Sequence, residues 1–310
     1  MGTRKLRVAL LSGGISAERE ISLKSGYQVS RALDKDRYEV VRYDPRDDLV
    51  RLARDSKTID VALIILHGRF GEDGTIQGFL ESLNVRYQGS GVLGSALAMN
   101  KILSKERYQH AGLPVAPYLV VEQGRNDDPN IITKHLSFPV VVKPESEGSS
   151  IGLSIAHTKD ELRSALELAW RCDRRCLVEK YLEGIEITVG VLGNNELCAL
   201  PLVEIIPMPP HKFFDYEAKY IPGRTEEICP ARLSEKLTRK AQQYAIRAHK
   251  ALYCRGYSRT DMIVTDDDIY VLETNTIPGM TETSLFPKAA AEAGYSFSAL
   301  LDKLIELALE

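Results

Sequence analysis

The first 66 residues alternate short apolar, β-rich runs with helical patterns, and this alternation is the feature that most constrains the fold. Three runs open the chain, with helical segments such as Glu18–Leu33 between them: Leu6–Leu11, Tyr38–Tyr43 and Val61–Leu66. This spacing predicts βαβ units and a mostly parallel sheet. In such sheets the chemistry lies in the loops after the strands, which here begin at Ser12 and His67.

The rest of the chain follows a second pattern, typical of α+β units. Glu183-Gly184 has the composition of a hinge, and the polar connection Pro207–Pro230 is long enough to be a functional lid. We predict these elements: helices Asn100–Ala111, Lys159–Arg171 and Ser234–Tyr253, and strands Phe138–Pro144, Ile151–Ala156, Cys176–Leu182, Glu186–Leu192, Leu197–Ile206, Ser258–Val264 and Ile269–Asn275.

Composition excludes several classes of protein. Lys+Arg 40 against Asp+Glu 43 gives a net charge of −3, without the basic excess of a nucleic-acid-binding protein. No apolar run approaches the roughly 18 residues of a membrane span, and Met1–Leu11 resembles a first strand more than a signal peptide. The five cysteines lack CxxC pairing, so we expect free thiols in a reducing cytoplasm.

The segment Lys143–Gly152 combines a lysine with small residues between two apolar runs. Small residues let backbone N–H groups approach an anion, and Lys143 adds a point charge suited to phosphate. The segment is not a GxxxxGK[ST] loop. A hairpin with a serine-rich turn explains the same residues, and both interpretations stay open.

Two further clusters carry polar groups on apolar strands. Glu179 and Glu186 flank the presumed hinge and suit the adenine and ribose of a nucleotide, although a strand with one solvated face explains them too. Glu273 and Asn275 share one strand face, which Asp261 can join from the neighbouring strand. Two carboxylates and an amide suit Mg²⁺, and the structural alternative is an ion-pair network with Arg259.

Three other residues have plain structural explanations beside functional ones. Ser284 begins a predicted helix, where free N–H groups suit a carboxylate but a simple helix cap serves equally well. Glu18 opens a helix and complements its dipole. His67 stands in a glycine-rich loop, where a lone histidine is more often structural than catalytic.

The order of these motifs resembles that of the D-alanine:D-alanine ligase family from one end of the chain to the other. The resemblance rests on five blocks: Gly13–Ser22, His67–Gly74, Lys143–Gly152, Tyr216–Tyr220 and Glu273–Ser284. It implies an N-terminal α/β (pre-ATP-grasp) domain at residues 1–98 followed by a two-lobed ATP-grasp fold, with a central lobe at 99–184 and a C-terminal lobe at 185–310. The overall class expected is therefore α/β and α+β.

The family reaction implied is phosphorylation of one D-alanine by ATP, followed by attack of a second D-alanine on the acyl phosphate. Carried over by motif, the nucleotide contacts are Lys101, Lys143, Ser150, Glu179, Glu186 and Lys219. The ligands for Mg²⁺, or for Mn²⁺, are Asp261, Glu273 and Asn275. Such a site works mainly by positioning and charge neutralisation.

The resemblance also implies the substrate contacts. Glu18 and His67 are the expected contacts of the first D-alanine. Ser149 and Tyr220 are expected to form a hydrogen-bonded set with Glu18. Arg259 and the backbone of Gly279 are the expected oxyanion stabilisers, and Ser284 and Leu285 the expected site for the second carboxylate. The partners implied are ATP and D-alanine in a cytoplasmic homodimer serving peptidoglycan synthesis, with no nucleic acid and no membrane.

Three positions depart from the family pattern. Asn100 stands where an acid is common, Phe214 where a tyrosine is frequent, and Glu282-Thr283 where relatives often carry a histidine. The last departure leaves a D-alanine:D-serine or D-alanine:D-lactate ligase as the nearest rival. A non-catalytic nucleotide-binding module is the rival from another class, and a dehydrogenase-like protein is disfavoured because GxGxxG is absent after the first strand.

Overall fold

The computed structural model describes residues 4–208, 223–266 and 268–310. Within them the chain forms three sheets, one in each predicted range. The motif Tyr216–Tyr220, which contains Lys219 and Tyr220, lies outside the described residues, and so do Phe214 and most of the predicted lid Pro207–Pro230. The mixed α/β and α+β class predicted from the sequence is confirmed.

The first sheet is parallel and has the strand order β2-β1-β3. Strands β1 and β3 are buried along most of their length, as the continuous apolar runs predicted, whereas β2 exposes Glu39 and Arg42. The elements of this part of the chain are β1 (Leu6–Ser12), α1 (Arg19–Ala32), β2 (Tyr38–Tyr43), α2 (Leu49–Asp55), a 3₁₀ turn (Ser56–Thr58), β3 (Val61–Ile65), α3 (Thr75–Ser82) and α4 (Val92–Met99).

The second sheet is antiparallel, has the order β4-β7-β5-β6 and is covered by α6 and α7. Helix α7 begins at the cap residue Thr158, whose side chain accepts from the backbone N–H of Glu161. The elements are α5 (Lys101–His110), β4 (Tyr118–Glu122), α6 (Pro129–His135), β5 (Val140–Pro144), β6 (Ser154–Ala156), α7 (Lys159–Ala169) and β7 (Arg175–Lys180).

The third sheet is antiparallel, with the order β11-β10-β8-β12-β13 and the short strand β9 beside β8. The predicted single strand Leu197–Ile206 is wrong, because two strands separated by Pro201 occupy this segment and proline has no N–H for a ladder. The elements are β8 (Ile185–Gly193), β9 (Cys198–Ala199), β10 (Val203–Pro207), β11 (Thr225–Ile228), α8 (Glu235–Ala251), β12 (Gly256–Val264), β13 (Ile269–Asn275), α9 (Leu285–Glu292) and α10 (Phe297–Leu309).

Three helices pack against a sheet outside their own predicted range. Helix α5 lies against the third sheet, where Tyr108 is fully buried and its hydroxyl donates to Thr274 Oγ1 at 2.8 Å. The last helices, α9 and α10, share a core with β1, β3 and α1 through Phe286, Leu300 and Leu304. These contacts fix the N-terminal sheet and the third sheet against each other, and so hold the loops of both at one cleft.

Candidate active site

Two adjoining cavities occupy the cleft between the sheets. The larger, of about 1000 Å³, is lined from all three units, and the smaller, of about 110 Å³, lies between the second and third sheets. Lys101, Glu147 and Glu273 line both. A molecule that reaches from the smaller cavity into the larger one therefore passes these three side chains.

The loop between β5 and β6 is longer than a simple hairpin turn. Ser149 and Ser150 both have left-handed backbone conformations, with φ of 47° and 60°, and Gly152 follows at 71°. Two consecutive non-glycine residues in this region store strain of roughly 1–2 kcal/mol each. The loop runs along the cavities, with Ser149 lining the larger and Ser150 the smaller.

Glu18 and Ser149 meet across the boundary between the N-terminal domain and this loop. The Ser149 hydroxyl donates a hydrogen bond to Oε1 of Glu18, which is 5 % exposed. Glu18 takes the N-cap position of α1 but makes no side-chain cap bond, so its carboxylate faces the cavity rather than the helix end.

His67 lies in the same wall and is also buried. Its Nδ1 is 3.5 Å from Oε1 of Glu72, while its Nε2 is buried without a hydrogen-bond partner among the described residues. Burial lowers the pKa of His67, but the carboxylates of Glu72 and Glu18 outweigh it and raise the pKa above the ordinary value. A buried ring nitrogen with no partner beside a cavity is a position for a ligand.

A buried group of three charges lies at the smaller cavity, which Glu179 and Lys143 line and Lys105 does not. Glu179 is 2 % exposed, Lys143 holds its Oε1, and Lys105 Nζ lies 2.8 Å from its Oε2. Burial raises the pKa of Glu179, but the two ammonium groups outweigh it and lower the pKa to about 2. Burial also lowers the pKa of Lys105, and the charge of Glu179 opposes this only in part. Glu186 lines the same cavity.

Asp261, Glu273 and Asn275 come together at the cavity walls as the alternation of the strands predicted. Asp261 pairs with Glu273 across β12 and β13, at a β-bulge, and Asn275 Nδ2 donates to Asp261 Oδ2 at 3.2 Å. The ion pair with Arg259 is also present, since its Nε and Nη2 each donate to Asp261 at 2.8 Å. Thr188 adds a bond of 2.6 Å to the same carboxylate.

These three side chains fit Mg²⁺ by their donor chemistry. All offer oxygen, and Glu273 lines both cavities, where it would meet a phosphate shared with the ion. In the described ranges no group of three or more His, Cys, Asp or Glu side chains is arranged to hold a metal. A site with two carboxylates is in keeping with Mg²⁺, which retains waters and substrate oxygens rather than a full protein cage.

The turn before α9 closes the far end of the larger cavity, where Gly279, Ser284 and Leu285 are among the lining residues. Ser284 stands at the N-cap of α9, yet its side chain does not cap the helix. Its Oγ lies 2.7 Å from Oγ1 of Thr281 and accepts from the backbone N–H of Thr281 at 3.2 Å. A side chain on Gly279 would come within 3.0 Å of Ser284 Oγ.

Lys101 is held at the entrance between the cavities. Its Nζ donates to the carbonyl oxygen of Glu147, and its backbone N–H donates to that of Glu145 at 2.8 Å. Asn100 caps α5, and its Nδ2 donates to Oε1 of Glu145 at 2.7 Å. Arg175 donates to the same carboxylate from Nε and Nη2.

Sequence reasoning missed Lys105, Glu72, Thr188 and the pairing of Glu145 with Arg175. A signal existed for Lys105, which follows Lys101 by one helical turn and so shares its face of α5. Glu145 and Arg175 are 30 residues apart and meet only because β5 pairs with β7. No local pattern indicates that contact.

Comparison with known proteins identifies the family. The D-ala D-ala ligase C-terminus model matches residues 108–306, and the D-ala D-ala ligase N-terminus model matches residues 45–90. A D-alanine–D-alanine ligase of Syntrophobacter fumaroxidans is 69 % identical over 100 % of both chains. One from Desulfotalea psychrophila is 54 % identical over 99 % of this chain and 96 % of its own.

Solved structures of similar fold also come from ligases of this kind. The D-alanine–D-alanine ligase of Bacillus anthracis, complexed with ATP, is 36 % identical and superposes with a TM-score of 0.86 over 98 % of this chain and 97 % of its own. VanG, a D-Ala:D-Ser ligase of Enterococcus faecalis, is 30 % identical with a TM-score of 0.85 over 98 % and 100 %. Among the described residues no helix has the length and apolarity to cross a membrane. The predicted ATP-grasp architecture is confirmed, and the chain belongs to the D-alanine–D-alanine ligase family.

Proposed function

We propose that the chain uses ATP to join two D-alanine molecules through an acyl phosphate, releasing ADP and phosphate. One observation carries this proposal: a small cavity suited to a nucleotide opens into a larger one past Lys101, Glu147 and Glu273. A terminal phosphate at that junction would lie within reach of a carboxylate bound in the larger cavity. This arrangement supplies the proximity on which phosphoryl transfer depends.

The nucleotide would lie in the smaller cavity. Glu179 and Glu186 would accept from the adenine amine and the ribose hydroxyls, and Lys101, Lys143 and Ser150 would bind phosphate oxygens. The proximity of these side chains supports the assignment, because all five line that cavity. Lys219 is proposed for the terminal phosphate on the family motif alone.

Asp261, Glu273 and Asn275 would hold Mg²⁺, or Mn²⁺ in its place. The ion would neutralise charge on the β- and γ-phosphates during transfer. Arg259, already aligned by its two bonds to Asp261, would face the oxygen that becomes negative, together with the backbone N–H of Gly279.

The first D-alanine would place its ammonium group at Glu18 and lie beside His67. The bond from Ser149 supports this assignment, because it orients the Glu18 carboxylate without neutralising it. Tyr220 would complete the same hydrogen-bonded set. The Nε2 of His67, for which residues 4–208, 223–266 and 268–310 supply no hydrogen-bond partner, is a further polar group on this side of the cavity.

The second D-alanine would bind with its carboxylate at Ser284 and the N–H group of Leu285. Ser284 is suited to this because its side chain does not cap α9 and is instead held beside the cavity by its contact with Thr281. D-Serine is the second candidate at this position, since the similarity to VanG extends over 98 % of this chain.

We further propose that the product serves peptidoglycan synthesis in the cytoplasm. Each chain would consist of three domains, 1–98, 99–184 and 185–310, and two chains would form a homodimer. Five free cysteines fit a reducing compartment.

Competition between second substrates tests the specificity. Purified protein receives ATP, Mg²⁺ and D-alanine with equimolar D-serine or D-lactate, and the products are separated by mass. We expect D-alanyl-D-alanine to dominate; a majority of the D-serine or D-lactate product would contradict the proposal.

A further inference from the structure

Lys105 is a buried charged residue that has no role in the proposed reaction. It stands on α5, is 1 % exposed and lines neither cavity, so it has no access to a ligand. Its Nζ lies 2.8 Å from Oε2 of Glu179 and 6.0 Å from the ring centroid of Tyr118. A lysine is costly to bury, and a retained one needs a reason in its contacts.

The contacts point to Glu179, which Lys105 shares with Lys143. Lys143 is proposed to bind ATP phosphates, and one ammonium group engaged with phosphate no longer holds Oε1 of Glu179 in the same way. A buried carboxylate that lost its only cation would be strongly destabilised. Lys105 would remove that conflict, because it would stay on Oε2 when Lys143 binds the nucleotide.

We propose that Lys105 is a positioning residue for nucleotide recognition: it anchors Oε2 of Glu179 so that Oε1, released by Lys143, accepts a hydrogen bond from the adenine amine. This inference rests on the proposed function, specifically on the assignment of Glu179 to adenine. Without Lys105, Glu179 would keep Lys143 as its one cation among the residues that the structure describes. In a variant that lacks Lys105, Lys143 would therefore stay on Glu179. Glu179 could then not accept from the adenine amine, and Lys143 could not bind the phosphates.

The test compares ATP with purine riboside triphosphate, which carries hydrogen in place of the amine. For the unaltered protein we expect kcat/KM to favour ATP by about ten- to a hundredfold, the range for a hydrogen bond to a charged group. Lys105→Met should lower kcat/KM for ATP and reduce this preference to within about threefold, with KM for D-alanine changed less than about twofold. Lys134→Met, which removes an exposed lysine on α6, is the matched control.

Thermal unfolding and circular dichroism establish that each variant is folded. If Lys105→Met does not fold, Lys105→Gln takes its place, since a neutral amide is less costly to bury but does not balance Glu179; the expected loss of preference is the same. Equal losses with both nucleotides, leaving the preference intact, would show Lys105 to be structural only and overturn the inference. No preference in the unaltered protein would overturn the Glu179 assignment as well, while ATP-dependent ligation itself would stand.

Discussion

Ser149 donates a hydrogen bond to the carboxylate of Glu18, and so ties the loop after β5 to the first helix of the N-terminal domain. The two residues are 131 positions apart, and Ser149 reaches Glu18 from a left-handed conformation with φ of 47°. Strained backbone persists where the surrounding contacts determine it, and this contact is one of them. The bond therefore couples the loop between β5 and β6 to the proposed ammonium site.

Ser149→Ala tests that coupling. Loss of a hydrogen bond to a charged acceptor costs about 1.5–3 kcal/mol, so we expect KM for the first D-alanine to rise roughly tenfold or more. KM for ATP should change much less, because Ser149 lines only the larger cavity. Steady-state kinetics at varied D-alanine and at varied ATP separate the two. Ser164→Ala, an exposed serine on α7, is the control, and equal effects on both substrates would refute the assignment.

Glu273→Gln tests the metal assignment. Glu273 lines both cavities, and an amide replaces a charged oxygen ligand by a weaker neutral one. Mg²⁺-dependent turnover should fall by about a thousandfold or more, with circular dichroism and the unfolding midpoint close to those of the unaltered protein. Glu167→Gln on the exposed face of α7 should be fully active. Wild-type turnover in Glu273→Gln would exclude this residue as a ligand.

Asn100→Asp tests the network behind Lys101. The amide of Asn100 donates to Glu145 at 2.7 Å, and an aspartate would turn that bond into a contact between two carboxylates. We expect stability to fall by about 1–3 kcal/mol and KM for ATP to rise, because Glu145 also fixes the backbone of Lys101. Denaturant unfolding and ATP kinetics measure these effects.

Adding Glu145→Gln to that variant reverses the donor and acceptor between the two positions. The double variant should recover part of the lost stability, although Arg175 then loses its charged partner. An Asn100→Asp variant as stable and as active as the unaltered protein would show that Asn100 and Glu145 are not energetically coupled.

His249 and Glu179 should each make the protein less stable in acid, over different pH ranges. Burial lowers the pKa of His249 from 6.5 to about 4, so its contribution is complete above pH 6.5 and is lost as pH falls toward 4. The two lysines lower the pKa of Glu179 from 4.5 to about 2 despite its burial, so its contribution is lost only below pH 4.5. Between pH 7 and 5 the His249 step alone corresponds to about 2 kcal/mol.

His249→Gln isolates the His249 step. Glutamine does not titrate, so the unfolding midpoint in denaturant should change less between pH 7 and pH 5 than it does in the unaltered protein. The imidazole Nδ1 lies 2.7 Å from Ser258 Oγ, and the variant is expected to be less stable at pH 7. An unchanged pH dependence would show that another group controls acid unfolding in this range.

Local patterns in the sequence predicted most of the fold. The apolar runs of β1 and β3 are buried as continuous strands of a parallel sheet, and β13 begins and ends where predicted, at Ile269 and Asn275. The strand expected at Leu197–Ile206 failed because a single proline, Pro201, interrupts the ladder. Apolar periodicity alone does not show that interruption.

The sequence indicated which residues of the candidate site lie together, but not the hydrogen bonds and ion pairs between them. Period-two alternation placed Glu273 and Asn275 on one face, whereas the partners of Asp261 depend on β8, which supplies Thr188 from 73 residues away. Both interpretations of Asp261 from the sequence are present together, since it stands among metal-suited oxygens and also binds Arg259. The spacing of Lys105 from Lys101 indicates a shared helix face, but its burial against Glu179 depends on long-range packing that no local pattern shows.

The most direct test of the central claim is the stoichiometry of the reaction with D-alanine as the only amino acid. Purified protein is mixed with ATP, Mg²⁺ and D-alanine, and ADP and D-alanyl-D-alanine are quantified in the same samples over time. The proposed function predicts one dipeptide for each ADP and no turnover when either substrate is omitted. ADP release without dipeptide, or no ADP release at all, would contradict it.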